Sequence, residues 1–513
     1  MKASKRKSWS AWLCAATVSL GGAAPVSAAP AKPGASSASA RAFTASTVVE
    51  RAKALAARPY QEPRQALPEA YARLSYDAYR DIRYRNDQAW WRDEGLPFQA
   101  QFFHPGFLYP APVVVNVVRD GQAEPVRFSP ELYTYGSLVP APPLAKADGF
   151  AGLRLTHPLN REGHFDEVLS FLGASYFRAL GQGNVYGLSA RGVAIDTALP
   201  RPEEFPSFRE LWLERPAPGA DRVVVHALLD GPSVTGAYRF TLVPGARTVL
   251  EVEVTLFARK AVEQLGLAPL TSMYAFGEND RGSSEDFRPE VHDSDGLFVW
   301  TGEGEQLWRP LQNPARLSVS SFRARAPRAF GLLQRDTVFS SYEDLEARYE
   351  LRPSAWVEPV GDWGAGTVRL VELPTPNEFH DNIVAFWVPD APLKPGTPLK
   401  AAYRLHWGAV APWPATASFV TATRIAAGDT AGARRFVLDF SPSGASEDGP
   451  VEAVITASRG RVLKSTVRRH EPSGGWRATF ELLPDASAPI ELRAYLKRGS
   501  ETLTETWSYL WTP

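Results

Sequence analysis

The chain has 513 residues, 44% of them hydrophobic and 22% charged, with 56 basic and 56 acidic side chains. That balance leaves no electrostatic footprint for nucleic acid or an anionic membrane and points to a neutral substrate or partner. The length allows more than one domain, although a large β-sandwich can exceed the usual domain size.

Residues 1–28 read as a cleavable secretory signal. Lys2, Lys5, Arg6 and Lys7 precede the short apolar stretch WSAWLCAATVSLGG, and Val26-Ser27-Ala28 offers a small-x-small cleavage site. There is no Arg-Arg pair, so the general secretory route into a periplasm is expected. The single cysteine, Cys14, lies inside that segment, so the exported chain would have no disulfide and would depend on a large core. Residues 29–41 are small and polar, as in a flexible linker, and Val48, Val49, Ala52, Leu55 and Ala56 predict a short helix over 44–57. Beyond it, runs such as PVVVNVVRD, RVVVHALLD and TVLEVEVTLFAR alternate β-formers between turns, in keeping with 44 Pro and 39 Gly. No Gly-rich phosphate loop and no βαβ rhythm occurs, so no nucleotide cofactor is expected. The fold class is all-β. Residues 42–408 predict a large two-sheet β-sandwich, and GAVAPWPAT (408–416) interrupts the strand pattern, with 409–415 as linker. Six or seven short strands at about ten-residue spacing over 416–513 predict an immunoglobulin-like sandwich.

Two stretches carry chemistry. NEFHDNIVAFW (377–387) and RPEVHDSDGLFVW (288–300) each place a His-Asp pair just before an apolar strand, in a chain with eight His. Acidic residues cluster at 285–295, 343–350 and 372–381, and glycoside hydrolysis needs two carboxylates, one to protonate the leaving oxygen and one to activate water. Aromatic rings that could stack on sugars fall in the same hundred residues: Trp300, Trp308, Tyr342, Tyr349, Trp356, Trp363 and Trp387. A metal site built from His292, Asp293, His380 and Asp381 is the rival reading. Adjacent residues on an extended strand face opposite ways, which counts against it. No G-x-S-x-G elbow is present.

Longer stretches complete the picture. LSYDAYRDIRY (74–84), LGASYFRALGQGNVYGLSARGVAIDTALP (172–200), EEFPSFRELWLERP (203–216), GLAPLTSMYAFG (266–277), YEDLEARYELRPSAWVEP and the two His-Asp stretches together resemble the periplasmic glucan biosynthesis G and D family of Gram-negative bacteria, its G branch most closely. The resemblance runs from about residue 40 to the C-terminus. It implies a mutarotase-like β-sandwich followed by an immunoglobulin-like domain, acting on the β-1,2-glucan backbone of osmoregulated periplasmic glucans. It further implies inverting endo-β-1,2-glucanase activity, with Asp381 of the D-N-I motif as general acid, Asp293 of the H-D-S motif as general base through a water relay, and Tyr349 of the R-Y motif beside them. A non-catalytic glucan-binding module that partners membrane-bound glucan synthase is the alternative. No cofactor or metal is expected. His292, Arg288, Arg352, Trp356, Trp363 and His380 are expected to bind substrate, and Arg288, Arg348 or Arg352 to keep Asp293 ionised. To act as an acid, Asp381 needs a raised pKa, for which Phe379, Ile383 and Glu372 are the nearby causes in sequence.

Overall fold

The computed structural model describes residues 40–63, 67–140, 143–282, 284–413, 417–442 and 449–513. The predicted signal, most of the linker after it, and residues 414–415 of the second linker lie outside that set. Arg41, assigned to the first linker, already pairs with Ala123 in a strand.

Most of the regular structure of the described chain is strand. Thr248–Ala258 illustrates why. Leu250, Val252, Val254 and Leu256 are buried while Glu251 and Glu253 face solvent, the period of two of a sheet with one covered face. Two sheets dominate, one of 16 strands and one of ten. Phe240, Leu250, Val357 and Leu405 of the first meet Leu155, Leu270, Leu370 and Trp387 of the second in one core, where each buried side chain contributes roughly 1.5–3 kcal/mol. The helix forms at Ala45–Ala56, with the Thr44 N–H donating to the Thr47 hydroxyl at 3.1 Å. Its Val48 and Ala52 pack with Trp212, Leu228 and Ala237 on the outer face of the large sheet.

At the C-terminal end, Val420–Ala427, Arg434–Phe440, Gly475–Leu483 and Arg461–His470 form a four-stranded sheet. The strands facing it, Glu452–Ala457, Ile490–Arg498 and Thr506–Trp511, are not a separate sheet. Thr506–Trp511 pairs in parallel with Gln306–Pro310, so the 16-stranded sheet runs on into the smaller sandwich. The core of that sandwich takes Phe436, Phe480, Trp507 and Tyr509 from the C-terminal segment, and Phe298, Trp308 and Trp356 from the large unit. The break at 408–416 therefore divides two sandwiches along the chain but not across the sheet.

Candidate active site

Asp293 stands just before the strand Gly296–Trp300 of the large sheet, and Asp381 two residues before Ile383–Pro389 of the ten-stranded one. Both segments are fastened to the same three residues at the end of the strand Leu265–Ser272. The Asp293 N–H donates to the Met273 carbonyl at 2.8 Å, and the Asn382 N–H to the Ser272 carbonyl at 3.1 Å. The buried Asn382 amide accepts from the Tyr274 N–H at 2.8 Å and donates to the carbonyls of Tyr274 (2.9 Å) and Leu373 (3.0 Å). Ser272 and Ser294 add a hydroxyl–hydroxyl bond at 2.8 Å. An amide can both donate and accept, which is what the open backbone of a strand mouth requires. The Asn after the acid thus rivets the segment while the Asp before it stays free.

The two carboxyls have different surroundings. Asp293 is 5% exposed and bonded by the Arg352 guanidinium. Burial pushes it up to about 6, with Arg352 opposing the shift and the charge of Asp381 adding to it. Arg352 also lies over the Tyr349 ring at 4.1 Å. Tyr349 is buried, and desolvation raises its hydroxyl above the ordinary tyrosine value. The Asp381 carboxyl has no hydrogen bond or ion pair within the described residues. It retains accessible surface, yet enough protein surrounds it for desolvation to raise its pKa, against the opposing charges of Arg191, Arg178 and Arg352.

Arg191 itself is committed: it bonds Glu203 at 2.7 Å and Thr271 at 2.9 Å and lies 5.0 Å from the Tyr176 ring. Tyr176 and Arg178 line a cavity of about 750 Å³ with Tyr109 and Tyr186, and Glu378 and Phe379 line another of about 690 Å³. Arg191, Arg178, Tyr176 and Asn382 were not found by sequence reasoning. The first three lie about 200 residues upstream of Asp381, and only a strand path across the ten-stranded sheet brings them near.

Several expected site residues sit elsewhere. His292 and Asp293 do diverge as strand neighbours should, so His292 faces away from the cleft. Its ring is 1% exposed and bonds Glu290 at 2.8 Å and Gln334 at 3.0 Å, with Asp295 at 3.3 Å. Burial alone would favour the neutral ring, but the bond to Glu290 and the charges of Asp295 and Glu290 outweigh it and lift the pKa to about 9. Arg288 and Arg348 do not hold Asp293: Arg348 bonds Glu350 at 2.5 Å, and Arg288 is taken up by Asp286, Asp344 and Glu378. Trp356 is buried in the core shared by the two sandwiches, where it cannot stack on a sugar. Trp363 packs on Trp387 and Tyr403 and donates to the Ala402 carbonyl at 3.1 Å. His380 is exposed beside Asp381 and bonds Asn377 at 2.9 Å. Phe379 is 83% exposed, and Glu372 is buried and accepts from the Gln312 N–H at 2.9 Å, so neither accounts for the raised Asp381. Among the described residues no group of three or more His, Cys, Asp or Glu is arranged to hold a metal ion.

Residues 43–511 match the family described as "Periplasmic glucan biosynthesis protein, MdoG". Among curated relatives, Glucans biosynthesis protein G of Ralstonia nicotianae is 49% identical over 493 residues, covering 93% of this chain and 98% of the relative. The protein of that name from Rhodopseudomonas palustris (strain ATCC BAA-98 / CGA009) is 50% identical over 465 residues, covering 90% and 92%. One from Shewanella sp. (strain MR-7) is 46% identical over 473 residues, covering 92% and 87%. The chain belongs to the periplasmic glucan biosynthesis protein G family.

Proposed function

We propose that the chain is exported to the periplasm and serves glucan biosynthesis by cutting the β-1,2-glucan backbone as an inverting endo-β-1,2-glucanase. The observation that carries this reading is the pairing of an exposed, unpartnered Asp381, its pKa raised by the protein around it, with a buried Asp293 held by Arg352. Inversion needs one carboxyl that gives a proton and one that takes a proton from water. With a pKa near 6, Asp293 is mostly ionised at neutral pH, and its bonded guanidinium keeps the charge there. Asp381 has no bonded cation and still has solvent contact, so a sugar filling the cleft displaces its water and raises its pKa further. The same binding event therefore protonates the acid and leaves the base charged. In the reaction Asp381 gives its proton to the glycosidic oxygen as the bond to the anomeric carbon breaks. Water attacks the opposite face, and its proton passes through a relay to Asp293. Tyr349, beneath Arg352, fixes the guanidinium that orients the base.

The test is incubation of the signal-free protein with linear β-1,2-glucan, with and without a chelator. Shorter glucans released with inverted anomeric configuration, at an undiminished rate under chelation, are expected. Binding without any cleavage would replace this reading with a non-catalytic module that presents glucan to membrane-bound synthesis machinery.

A further inference from the structure

The sequence makes Arg288 a candidate to bind substrate or to hold Asp293, and its guanidinium does not bond Asp293. Its guanidinium instead gathers one carboxylate from each of the three acidic stretches. Nε and Nη2 take Asp286 at 3.0 and 2.7 Å, Nη1 takes Asp344 at 2.8 Å, and Nη2 also takes Glu378 at 2.5 Å. The side chain is 13% exposed, as is that of Asp344, with Asp286 and Glu378 at 25% and 24%. A single planar fork with all its ends used is a geometric joint rather than a ligand-binding cation.

What the joint connects is specific. Asp293 lies five residues after Arg288, Tyr349 five after Asp344, and Asp381 three after Glu378. Each arm of the cluster thus holds the segment that delivers one of the three proposed site residues. The Asp344 arm is itself rigid, because its other oxygen accepts the N–H groups of Glu346 and Ala347 at 2.9 and 2.7 Å. On the Asp381 side, Asn382 rivets the strand mouth, but the residues just before the acid have only short-range bonds: Phe379 and His380 both bond Asn377. Asn313 fastens the start of the stretch at Thr375 with two bonds of 2.9 Å, and the Glu378–Arg288 pair, between residues 90 apart in the chain, is the long-range tie nearest the acid.

We propose that Arg288 is a positioning residue that clasps the three segments carrying Asp293, Tyr349 and Asp381, and so sets the placement of the acid against the base. The inference takes its acid and base roles from the proposed function. A clasp of this kind acts on the bond-breaking step more than on binding, because a displacement of about 1 Å in a reacting group costs on the order of 100-fold in rate. It also balances charge: three carboxylates surround one guanidinium, and the opposed charges of Glu378 and Arg288 both reach the Tyr349 hydroxyl.

The experiment compares Arg288→Ala, Arg288→Lys and Glu378→Gln with the parent on linear β-1,2-glucan. The expected result for Arg288→Ala is a kcat lower by roughly 10–100-fold with KM nearly unchanged. Arg288→Lys should restore folding without restoring kcat, because an ammonium cannot reproduce the fork. If Arg288→Ala does not fold, Glu378→Gln, which releases only the arm holding Asp381, carries the same expectation for kcat and KM. Full kcat in a folded Arg288→Ala or Glu378→Gln would overturn the proposal. Hydrogen exchange over 373–382 and 343–349 separates this outcome from failure of the hydrolase reading. In a protein that cuts no glucan, faster exchange there in Arg288→Ala would still establish the clasp, and unchanged exchange would refute it.

Discussion

The segment Val291–Asp295 has two faces, and they treat charge in opposite ways. Toward the cleft it presents Asp293, whose bonded cation is Arg352, and near it Asp381, which feels Arg191, Arg178 and Arg352 but bonds none of them. Toward the junction with the C-terminal sandwich it presents His292 and Asp295 in a dense network. Asp295 accepts the N–H groups of Arg335 and Asp336 at 2.5 and 2.9 Å, and Arg335 forks onto Glu505 at 2.6 and 3.0 Å while lying 3.5 Å from the Trp308 ring. Glu278 completes it by accepting the Thr423 N–H at 2.5 Å and pairing with Arg424 at 2.9 Å. Both faces hold desolvated carboxyls. The difference is that every junction carboxyl is bonded to donors within the protein, Asp295 through Oδ2 with Oδ1 only facing the His292 ring at 3.3 Å, while the cleft leaves one carboxyl wholly open to a ligand. A raised pKa alone therefore does not mark a reactive acid, and an open valence beside it does.

The sharpest way to break this comparison is to neutralise the cleft. Asp381→Asn and Asp293→Asn should each lower cleavage by about 10²–10⁴-fold, the usual worth of general acid–base assistance. Asp381 has no partner to lose, so its Asn variant should unfold within about 0.5 kcal/mol of the parent in a urea titration. A glucosyl substrate with a good leaving group needs little protonation. It should restore turnover to Asp381→Asn and leave Asp293→Asn inactive. Equal rescue of both would mean that the acid and base roles are not divided as proposed.

The junction should answer in stability instead. Glu505 is 2% exposed at its side chain and accepts both Arg335 and the Val420 N–H at 2.7 Å. Breaking a buried pair from one side leaves an uncompensated charge, so Glu505→Ala should cost roughly 3–5 kcal/mol in denaturant unfolding. Its folded fraction should still cleave glucan, because Asp293 and Asp381 hang from Ser272–Tyr274 and not from the C-terminal sandwich. A folded Glu505→Ala that had lost cleavage as fully as Asp381→Asn would place the junction inside the catalytic machinery.

How far this division is legible in the sequence depends on range. Local patterns speak clearly. Alternation in stretches such as TVLEVEVTLFAR gives strands, and adjacency on a strand separates His292 from Asp293. The positions of Asp293 and Asp381 before apolar runs give strand mouths. Choices among long-range partners are silent. Arg288, Arg348 and Arg352 look alike in the chain, yet only Arg352 reaches Asp293, because each arginine takes the carboxylate its own loop meets. Trp356 and Trp363 read as sugar platforms because periodicity says that a face is apolar and not what covers it. Here the covers are the second sandwich for Trp356, and Trp387 and Tyr403 for Trp363. The parallel pairing of Thr506–Trp511 with Gln306–Pro310 joins segments about 200 residues apart, a choice fixed only when both sandwiches are folded.

The smallest expected effect separates the two faces by pH. Burial pushes Glu278 up to about 7 and Asp295 up to about 6, and the bond to Glu290 with nearby acids lifts His292 to about 9. All three lie above their ordinary values of 4.5, 3.8 and 6.5. These three groups therefore hold more protons in the folded protein than in the unfolded chain across these windows, and their contribution to stability falls as pH rises, against the smaller opposite contribution of the depressed His104 and His406 below about 6.5. The carboxyl part is lost between about 4 and 7, and the His292 part, full below 6.5, is lost as pH passes through about 9. Thermal midpoints should accordingly decline from mildly acidic to alkaline buffer. Asp293, raised to about 6, adds to the lower window with the same sign. Glu278→Gln should flatten the slope between about 4.5 and 7 while leaving the His292 portion above it and the pH–rate profile of cleavage in place. Asp293→Asn should remove its share of the same stability slope and abolish cleavage as well. A Glu278→Gln variant whose pH–rate profile moved as far as its stability curve would show that the two faces of Val291–Asp295 titrate as one unit.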